Sequence, residues 1–571
     1  MTRRRFPRIG RALIQGVSLA LFLVLLALSP GALMEHVRPD LFLRMDPLVL
    51  LGSLAGGNAT LTLLLPGLMV ILLTLVLGRF FCSTLCPLGT TIDLTDRLFR
   101  RLRKRLKGRV PGRARAWKYL VLSFAAGSVL AGSSLFLMVS PVSLATRFYG
   151  LVLYPVLASG LNLGAGLVRQ AGDLLGIGAF AYLSVPVPKY SLAWATLGLV
   201  VPILALGLVV PRFWCRCLCP GGALFALLSL GRSLKREVSG ACTDCSACRR
   251  ACPMGAVGQD PRDASTAECI VCRKCAQSCP REAVTFRLRK PLAPFGGSGT
   301  GRNNPPGEPG VQGRGGGFFR STCPDGPSGF SKGRRTLVLS GVFGAGGAAV
   351  GFALPGSSSA GSAAGPPIRP PGALPETDFL AGCVRCGACM RACPTNTLQP
   401  SSLTGGLARF FSPVVVPRTG PCEPGCTRCG RACPTGAIRE LPAHEKVWAK
   451  IGTALIVRHL CLAWDKDKEC LVCDEVCPFG AIDLRRAEGV KVSVPFVDAS
   501  RCNGCGFCEY YCPVAGPSAV IVEPKGALRM AEGSYIRAGR AAGLRFEVEG
   551  PSRAPGEVSL PEGSLPPGFE E

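Results

Sequence analysis

Twenty-four of the thirty cysteines in this 571-residue chain fall into six runs of four, and every run ends in Cys-Pro. The first two read Cys242-x-x-Cys245-x-x-Cys248-x-x-x-Cys252-Pro253 and Cys269-x-x-Cys272-x-x-Cys275-x-x-x-Cys279-Pro280. Three closely spaced thiolates wrap three irons of a 4Fe–4S cube, and the cysteine before proline reaches across to the neighbouring cube. That logic groups Cys242, Cys245 and Cys248 with Cys279, and Cys269, Cys272 and Cys275 with Cys252. Zinc also accepts C-x-x-C pairs, but two complete runs with a terminal Cys-Pro favour the cube. Such cysteine density in a small secreted domain would signal disulfides; here the spacing argues for metal.

Four more runs follow: Cys383/Cys386/Cys389/Cys393, Cys422/Cys426/Cys429/Cys433, Cys461/Cys470/Cys473/Cys477 and Cys502/Cys505/Cys508/Cys512. Their last members precede Pro394, Pro434, Pro478 and Pro513, and the second and third runs are stretched, as loops allow. The expected complement is six 4Fe–4S clusters. Haem is not expected: the only histidines are His36, His444 and His459, none lies in an apolar span, and there is no C-x-x-C-H site. Nor is a flavin or nicotinamide. The run Gly344-Ala345-Gly346-Gly347-Ala348-Ala349 matches a dinucleotide fingerprint on paper, but it lacks a βαβ context and reads as small residues packing one helix closely on another.

The N-terminal region has a different character. Four apolar runs, about Arg11–Leu28, Leu61–Phe81, Tyr119–Val139 and Leu192–Pro211, approach the ~20 residues that a bilayer requires. Arg3, Arg4, Arg5, Arg8 and a cluster from Arg97 to Lys118 flank them on one side, while 31–58 and 141–190 are poor in Lys and Arg. The positive-inside rule puts the N-terminus, the 82–118 loop and residues 236–290 in the cytoplasm. A net charge of +29 placed beside apolar runs points to a membrane face rather than to nucleic acid. The stretch Phe148–Leu183, interrupted by Pro155, Gly160, Gly164, Gly166, Arg169 and Asp173, reads as amphipathic helices on the outer face.

The expected organisation is multi-domain: an α-helical membrane domain of four spans (1–235), a two-cluster α+β ferredoxin-like module (236–290) and a Gly/Pro-rich linker (291–331). A twin-arginine leader with a fifth span (332–356) and a second linker (357–377) follow, then a four-cluster ferredoxin-like module (378–523) and a flexible tail (524–571). Five of the remaining cysteines lie in Phe81-Cys82-Ser83-Thr84-Leu85-Cys86-Pro87 and Trp214-Cys215-Arg216-Cys217-Leu218-Cys219-Pro220. Two spans followed by CxxxCP thus occur twice, an internal duplication. A pseudo-twofold axis would bring Cys82, Cys86, Cys215 and Cys219 together as a metal centre, as redox disulfides or as a docking surface; inert structural thiols are the plainer alternative. Cys217 and Cys323 read as incidental.

With these motifs the chain resembles a fusion of two protein types. Residues 1–290 resemble the NapH-type membrane subunit, with four spans, two CxxxCP motifs and a cytoplasmic two-cluster domain. Residues 331–523 resemble the NapG/MauM-type ferredoxin, a twin-arginine leader (Arg334-Arg335) before four cluster motifs. The resemblance implies a quinol dehydrogenase in a bacterial inner membrane. Its donor would be the quinol pool, menaquinol by preference. It would serve a periplasmic reductase or c-type cytochrome, with the first iron–sulfur module cytoplasmic and the second periplasmic. It also implies nested ligand exchange in the second module: Cys393 with Cys502, Cys505 and Cys508, and Cys512 with Cys383, Cys386 and Cys389. Candidate proton acceptors at the outer edge are Glu35, His36, Asp40 and Asp46, against the simpler reading of solvated flanks. Two other functions remain open: a transmembrane conduit fed by cytoplasmic ferredoxin, and a maturation factor for a periplasmic redox enzyme.

Overall fold

The computed structural model describes residues 8–31, 38–57, 60–99, 101, 112–175, 184–288, 339–350 and 365–546. Glu35, His36, Cys323, Arg334-Arg335 and the 291–331 linker lie outside the described residues. The chain divides into two compact units. The first is Met1–Val416 with Arg428–Glu440; the second is Pro417–Thr427 with Leu441–Glu571. The expected 378–523 module is therefore not one body, because its first run packs with the helical domain instead.

The first unit is mostly helical. Helix α1 (Arg8–Leu28) is followed by two short helices, α2 (Leu41–Arg44) and α3 (Pro47–Ala55), and then by α4 (Leu61–Leu77). Next come α5 (Phe80–Thr84), α6 (Pro87–Leu98) and α7 (Trp117–Leu130). The duplicated half continues with α8 (Pro141–Arg147), α9 (Tyr154–Leu175), α10 (Ala193–Val209), α11 (Phe213–Cys217) and α12 (Pro220–Leu228). Two segments are long and apolar enough to cross a bilayer, Gly10–Leu28 and Pro141–Gln170; Leu61–Leu77 and Ala193–Val209 are shorter apolar helices of 17 residues each. Of the four expected spans, only the first reaches full length. The apolar run from Tyr119 breaks after Leu130, and its C-terminal part forms a 3₁₀ segment, Leu135–Val139.

The Phe148–Leu183 expectation needs correction. Instead of broken surface helices, α8 and α9 join through a π-helical turn, Phe148–Leu153, into one long rod. A π-turn absorbs the hydrogen bond that Pro155 cannot donate. Gly160, Gly164 and Gly166 sit inside the rod in open space, so they neither break it nor receive a neighbour. Asn162 then clasps the returning chain through both backbone groups of Val185, at 2.7 and 2.8 Å.

Four helices in this unit begin with proline, and the residue before each proline caps the helix. Asp46 accepts from Leu48 N, Cys86 from Gly89 N, Ser140 from Ser143 N and Cys219 from Gly222 N. Proline at the first helical position loses no intrahelical bond and presets φ, while the capping atom takes an otherwise orphaned N–H. Cys86 (φ −63°, ψ 115°) and Cys219 (φ −64°, ψ 113°) have nearly the same backbone, the structural imprint of the duplication. The pairs Asp46-Pro47 and Ser140-Pro141 mark helix starts that no apolar run announced, and they meet where Ser140 Oγ donates to Asp46 at 2.9 Å.

Two iron–sulfur modules sit at opposite ends of α7. At its start, Lys118 donates to Glu268 of the 236–288 module, which Arg79 also engages at 3.2 Å. Just past its end, the Ser134 hydroxyl donates to Ala381 O of the 365–416 segment. The 236–288 module is closed by an antiparallel pair, β1 (Leu234–Val238) with β2 (Val284–Leu288). The apolar helix α13 (Leu339–Val350) lies on α7 so closely that a Cβ on Gly347 would stand 2.1 Å from Phe124 O, and one on Gly127 would stand 2.0 Å from Gly344 O. The glycine-rich run therefore serves helix packing.

In the first unit β3 (Leu398–Pro400) pairs with β4 (Pro413–Val415); in the second, β5 (Thr453–Ile456) pairs with β8 (Val520–Glu523), and β6 (Ile482–Arg485) with β7 (Val494–Val497), all antiparallel. The supposed tail is part of this fold through residue 546. Helix α14 (Tyr535–Ala541) packs Tyr535 into a core with Trp448, Leu544 and Phe546, and Glu445 accepts from Tyr535 N at 2.8 Å.

Candidate iron–sulfur and membrane-domain thiol sites

Each ferredoxin-type run forms a loop that turns its first two thiols inward and a short helix that carries the third. Left-handed residues make the turn: Asp244 and Ser246 in the first run, Val271 and Arg273 in the second, Gly504 and Gly506 in the last. The result is a set of small cavities, each lined by four cysteines. Cys242, Cys245, Cys248 and Cys279 line one. Cys252, Cys269, Cys272 and Cys275 line another. In the second unit, Cys477, Cys502, Cys505 and Cys508 line a third.

That third cavity overturns the nested pairing. The cysteine that joins Cys502, Cys505 and Cys508 is Cys477, from the adjacent run, and not Cys393. Reciprocally, Cys473 lies in the field of Cys470, Cys461 and Cys512. In the first unit, Cys386 and Cys389 face Cys383 and Cys433, so Cys433 takes the place expected for Cys512. Neighbouring runs exchange their last cysteine because the β5–β8 and β6–β7 pairs fold runs three and four into one body. Cys393 and Cys429 belong to the first unit, and Cys422 and Cys426 to the second.

Among the described residues, no three Cys, His, Asp or Glu side chains converge tightly enough to hold a single metal ion. Four thiols around each cavity, drawn from complete runs that end in Cys-Pro, suit a multi-iron cage better than zinc. Backbone N–H groups point at the sulfurs: Ala256 to Cys252 at 3.3 Å, Ala481 to Cys477 at 3.3 Å and Ala454 to Cys502 at 3.4 Å. Burial pushes the Cys275 thiol up to about 11, and the Cys473 and Cys505 thiols up to about 12. Bare thiols there would stay protonated; a coordinating metal supplies the positive charge that makes the thiolate stable.

The duplicated CxxxCP motifs converge. Cys82, Cys86, Cys215 and Cys219 line a fourth cavity, together with Arg79, Phe81, Trp214, Gly89, Gly222 and Pro141. Cys217 is buried beside this group but does not line the cavity. The residues that sequence reading passed over are the arginines. Each motif is preceded by Arg-Phe-aromatic, Arg79-Phe80-Phe81 and Arg212-Phe213-Trp214, and both guanidiniums are fully buried. Arg212 holds a left-handed backbone (φ 52°), secured by two bonds to Asp93 at 3.0 and 2.8 Å and one to Cys82 O at 3.0 Å. The repeated Arg-Phe before each CxxxCP was the signal available in the sequence.

Asp40 and Asp46 are not solvated flanks. Both are buried, Asp40 against Arg44 four residues on and Asp46 between Leu48 N and Ser140. The 365–416 segment docks on this side. Arg391 stacks over Tyr154 at 3.6 Å and donates to Ala27 O at 3.1 Å, while Asn396 and Gln399 donate to Lys189 O at 2.8 and 2.9 Å.

Comparison with known proteins agrees with these cavities. A 4Fe–4S binding domain model matches residues 59–105 and 192–237, the two CxxxCP segments, and a 4Fe–4S dicluster domain model matches 468–515. The methylamine utilization ferredoxin-type protein MauM of Methylorubrum extorquens is 42% identical over 205 residues, which is 34% of this chain and 90% of that protein. MauM of Paracoccus denitrificans is 43% identical over 31% of this chain and 79% of its own length. The ferredoxin-type protein NapG of Escherichia coli is 36% identical over 36% of this chain and 92% of its own length. No solved structure matches.

Proposed function

Because the chain belongs, through about a third of its length, to the MauM/NapG ferredoxin-type family of iron–sulfur electron-transfer proteins, we propose that it is a membrane-anchored quinol dehydrogenase. In this reading it carries six 4Fe–4S clusters on twenty-four cysteines and delivers electrons to a periplasmic reductase or cytochrome. The observation that carries the reading is the placement of two cysteine-rich modules at opposite ends of α7 within one unit. In the same unit, α1, α4, α9 and α10 present exposed apolar side chains, including Leu13, Val17, Leu65, Leu72, Leu161 and Val201. A belt of this kind suits lipid, so the four-span anchor with a fifth helix at 339–350 is part of the proposal.

Quinol releases two electrons and two protons, whereas a 4Fe–4S cluster, when bound, takes one electron at a time. The chain's contribution is to hold its thiols in dry cavities with N–H donors aimed at sulfur, which favours the reduced, more negative state. Cys242, Cys245, Cys248 and Cys279, with Cys252, Cys269, Cys272 and Cys275, would hold the inner pair. The sets that include Cys383, Cys422, Cys461 and Cys502 would hold the remaining four.

Anaerobic protein in lipid nanodiscs, mixed with a reduced menaquinone analogue, is expected to lose cluster absorbance near the same extent as with dithionite. Reduction by ferredoxin but not by the quinol would replace the reading with the conduit. A reporter fused after Gly365 is expected to be active only on the outer face, as alkaline phosphatase and not as green fluorescent protein; the reverse result would remove the periplasmic assignment.

A further inference from the structure

We propose that Cys82, Cys86, Cys215 and Cys219 jointly hold a seventh 4Fe–4S cluster, which relays single electrons between the inner cluster pair and the Cys383/Cys386/Cys389/Cys433 site. Each matched family segment brings only two of these thiols, Cys82 with Cys86 and Cys215 with Cys219. Neither half can close a cube that needs four ligands; the fold brings the halves together around one cavity.

Three independent features make that cavity the same kind of place as the ferredoxin sites. Four cysteines line it, as four line each of the three other cavities. Gly89 N donates to Cys86 Sγ at 3.4 Å and Gly222 N to Cys219 Sγ at 3.2 Å, matching the N–H···S bonds at Cys252, Cys477 and Cys502. Most telling are the donors without a protein acceptor. Arg79 Nε and Nη2 and Trp214 Nε1 are buried, line this cavity and have no hydrogen-bond partner. Buried donors are rarely left unpaired, because each costs about 1–3 kcal/mol. Inorganic sulfide at the corners of a cube would accept from them.

The charge also fits. A cube on four thiolates is a dianion when oxidised. The cavity meets it with the buried Arg79 guanidinium and with the first turns of α6 and α12, whose Leu88, Gly89, Gly221 and Gly222 line it. A redox disulfide needs no such field, and inert thiols would be poorly served by it.

The position suits a relay. Arg212 lies in the field of both Cys215 on this cavity and Cys272 on the inner pair. On the other side, Leu48 at the start of α3 packs near Gly221 on the cavity wall, and Gly52 further along faces Val384 between Cys383 and Cys386. The nine residues of α3 rise about 13 Å. One electron arriving from a reduced cluster at Cys252/Cys269/Cys272/Cys275 leaves that cluster oxidised and takes the central core from the 2+ to the 1+ level. The same electron then leaves for the Cys383 site, with no proton or bond change.

The test reads iron, not quinol, so it can fail while the quinol reading stands, and the reverse. Full-length protein purified anaerobically is expected to hold about 28 iron atoms at ~4 per cluster, against about 24 without this site. The Cys86→Ser/Cys219→Ser double variant is expected to lose about four iron atoms and one Mössbauer or EPR component, with the others intact. Wild type at about 24 with zinc or a disulfide at these cysteines would overturn the proposal, as would a double variant with unchanged iron. Should the double variant fail to accumulate, Trp214→Phe keeps every thiol. Iron is expected to be unchanged while one reductive transition moves to lower potential, and transitions that all stay in place would overturn the assignment.

Discussion

Replacing Cys477 with Ser is expected to erase the same spectroscopic component as replacing Cys502, and to leave the component lost in Cys461→Ser untouched. The cavity that groups Cys477 with Cys502, Cys505 and Cys508 dictates this outcome. Nested exchange between distant runs would instead make Cys477→Ser resemble Cys422→Ser. The loss should be about four iron atoms per chain, read by elemental analysis and EPR of anaerobic protein. A structural consequence should follow. Cys502 receives Ala454 N of β5 and Cys477 receives Ala481 N at the foot of β6, so this site ties both sheets of the second unit together. Metal binding in such a module is also folding free energy. Residues 441–546 should therefore become sensitive to limited proteolysis in Cys477→Ser but stay resistant in Cys217→Ser, whose thiol lines none of the four-cysteine cavities. Different lost components in Cys477→Ser and Cys502→Ser would disprove the adjacent pairing.

Asp93→Asn is expected to destabilise the helical domain by about 3–5 kcal/mol, the range seen when one member of a buried ion pair is removed. Asp93 receives Arg212 through two bonds, Arg11 at 2.8 Å and Gln15 at 3.0 Å, and Arg212 has no solvent exposure. Asparagine keeps the shape but leaves two guanidiniums without a counter-charge, one of them on a left-handed backbone. Burial opposes ionisation of Asp93, but Arg212 and Arg11 outweigh it and hold the carboxyl well below the usual carboxylate range. A depressed carboxyl stabilises the fold fully above its unfolded pKa of about 4, and the contribution fades as pH falls towards the depressed value. The gap in Tm between wild type and Asp93→Asn in detergent should thus be constant from pH 8 to 5 and narrow only below about 4. A gap that closes near neutral pH would show that the pair does not carry the stability.

Much of the site chemistry was legible because cluster ligands are local: Cys242, Cys245 and Cys248 announce their loop within seven residues. The exchange partner is not local. With two runs only one swap exists, but with four runs the choice belongs to strand pairing, which leaves no mark in the cysteine spacing. Hydropathy sees length, so the short helix that begins at Pro47 escaped it, although its Asp-Pro start, like the Ser-Pro start at Pro141, was in plain view. Pro155 and three glycines made the α8–α9 rod look broken, and a single π-turn was enough to keep it whole. The helix at Tyr535 went unread because it depends on Glu445 and Trp448, some ninety residues earlier in the chain. Arg79 and Arg212 carried a repeated signal, Arg-Phe before each CxxxCP, that attention to sulfur alone overlooked.

The clasp of Arg391, stacked on Tyr154 and bonded to Ala27 O, has a kinetic corollary. Soluble redox partners must find each other by diffusion, and their exchange slows on dilution and responds to ionic strength. Here the 365–416 segment is already seated, on the same polypeptide as its anchor. Passage across that seam should therefore be first order, indifferent to how many copies a membrane holds and to added salt.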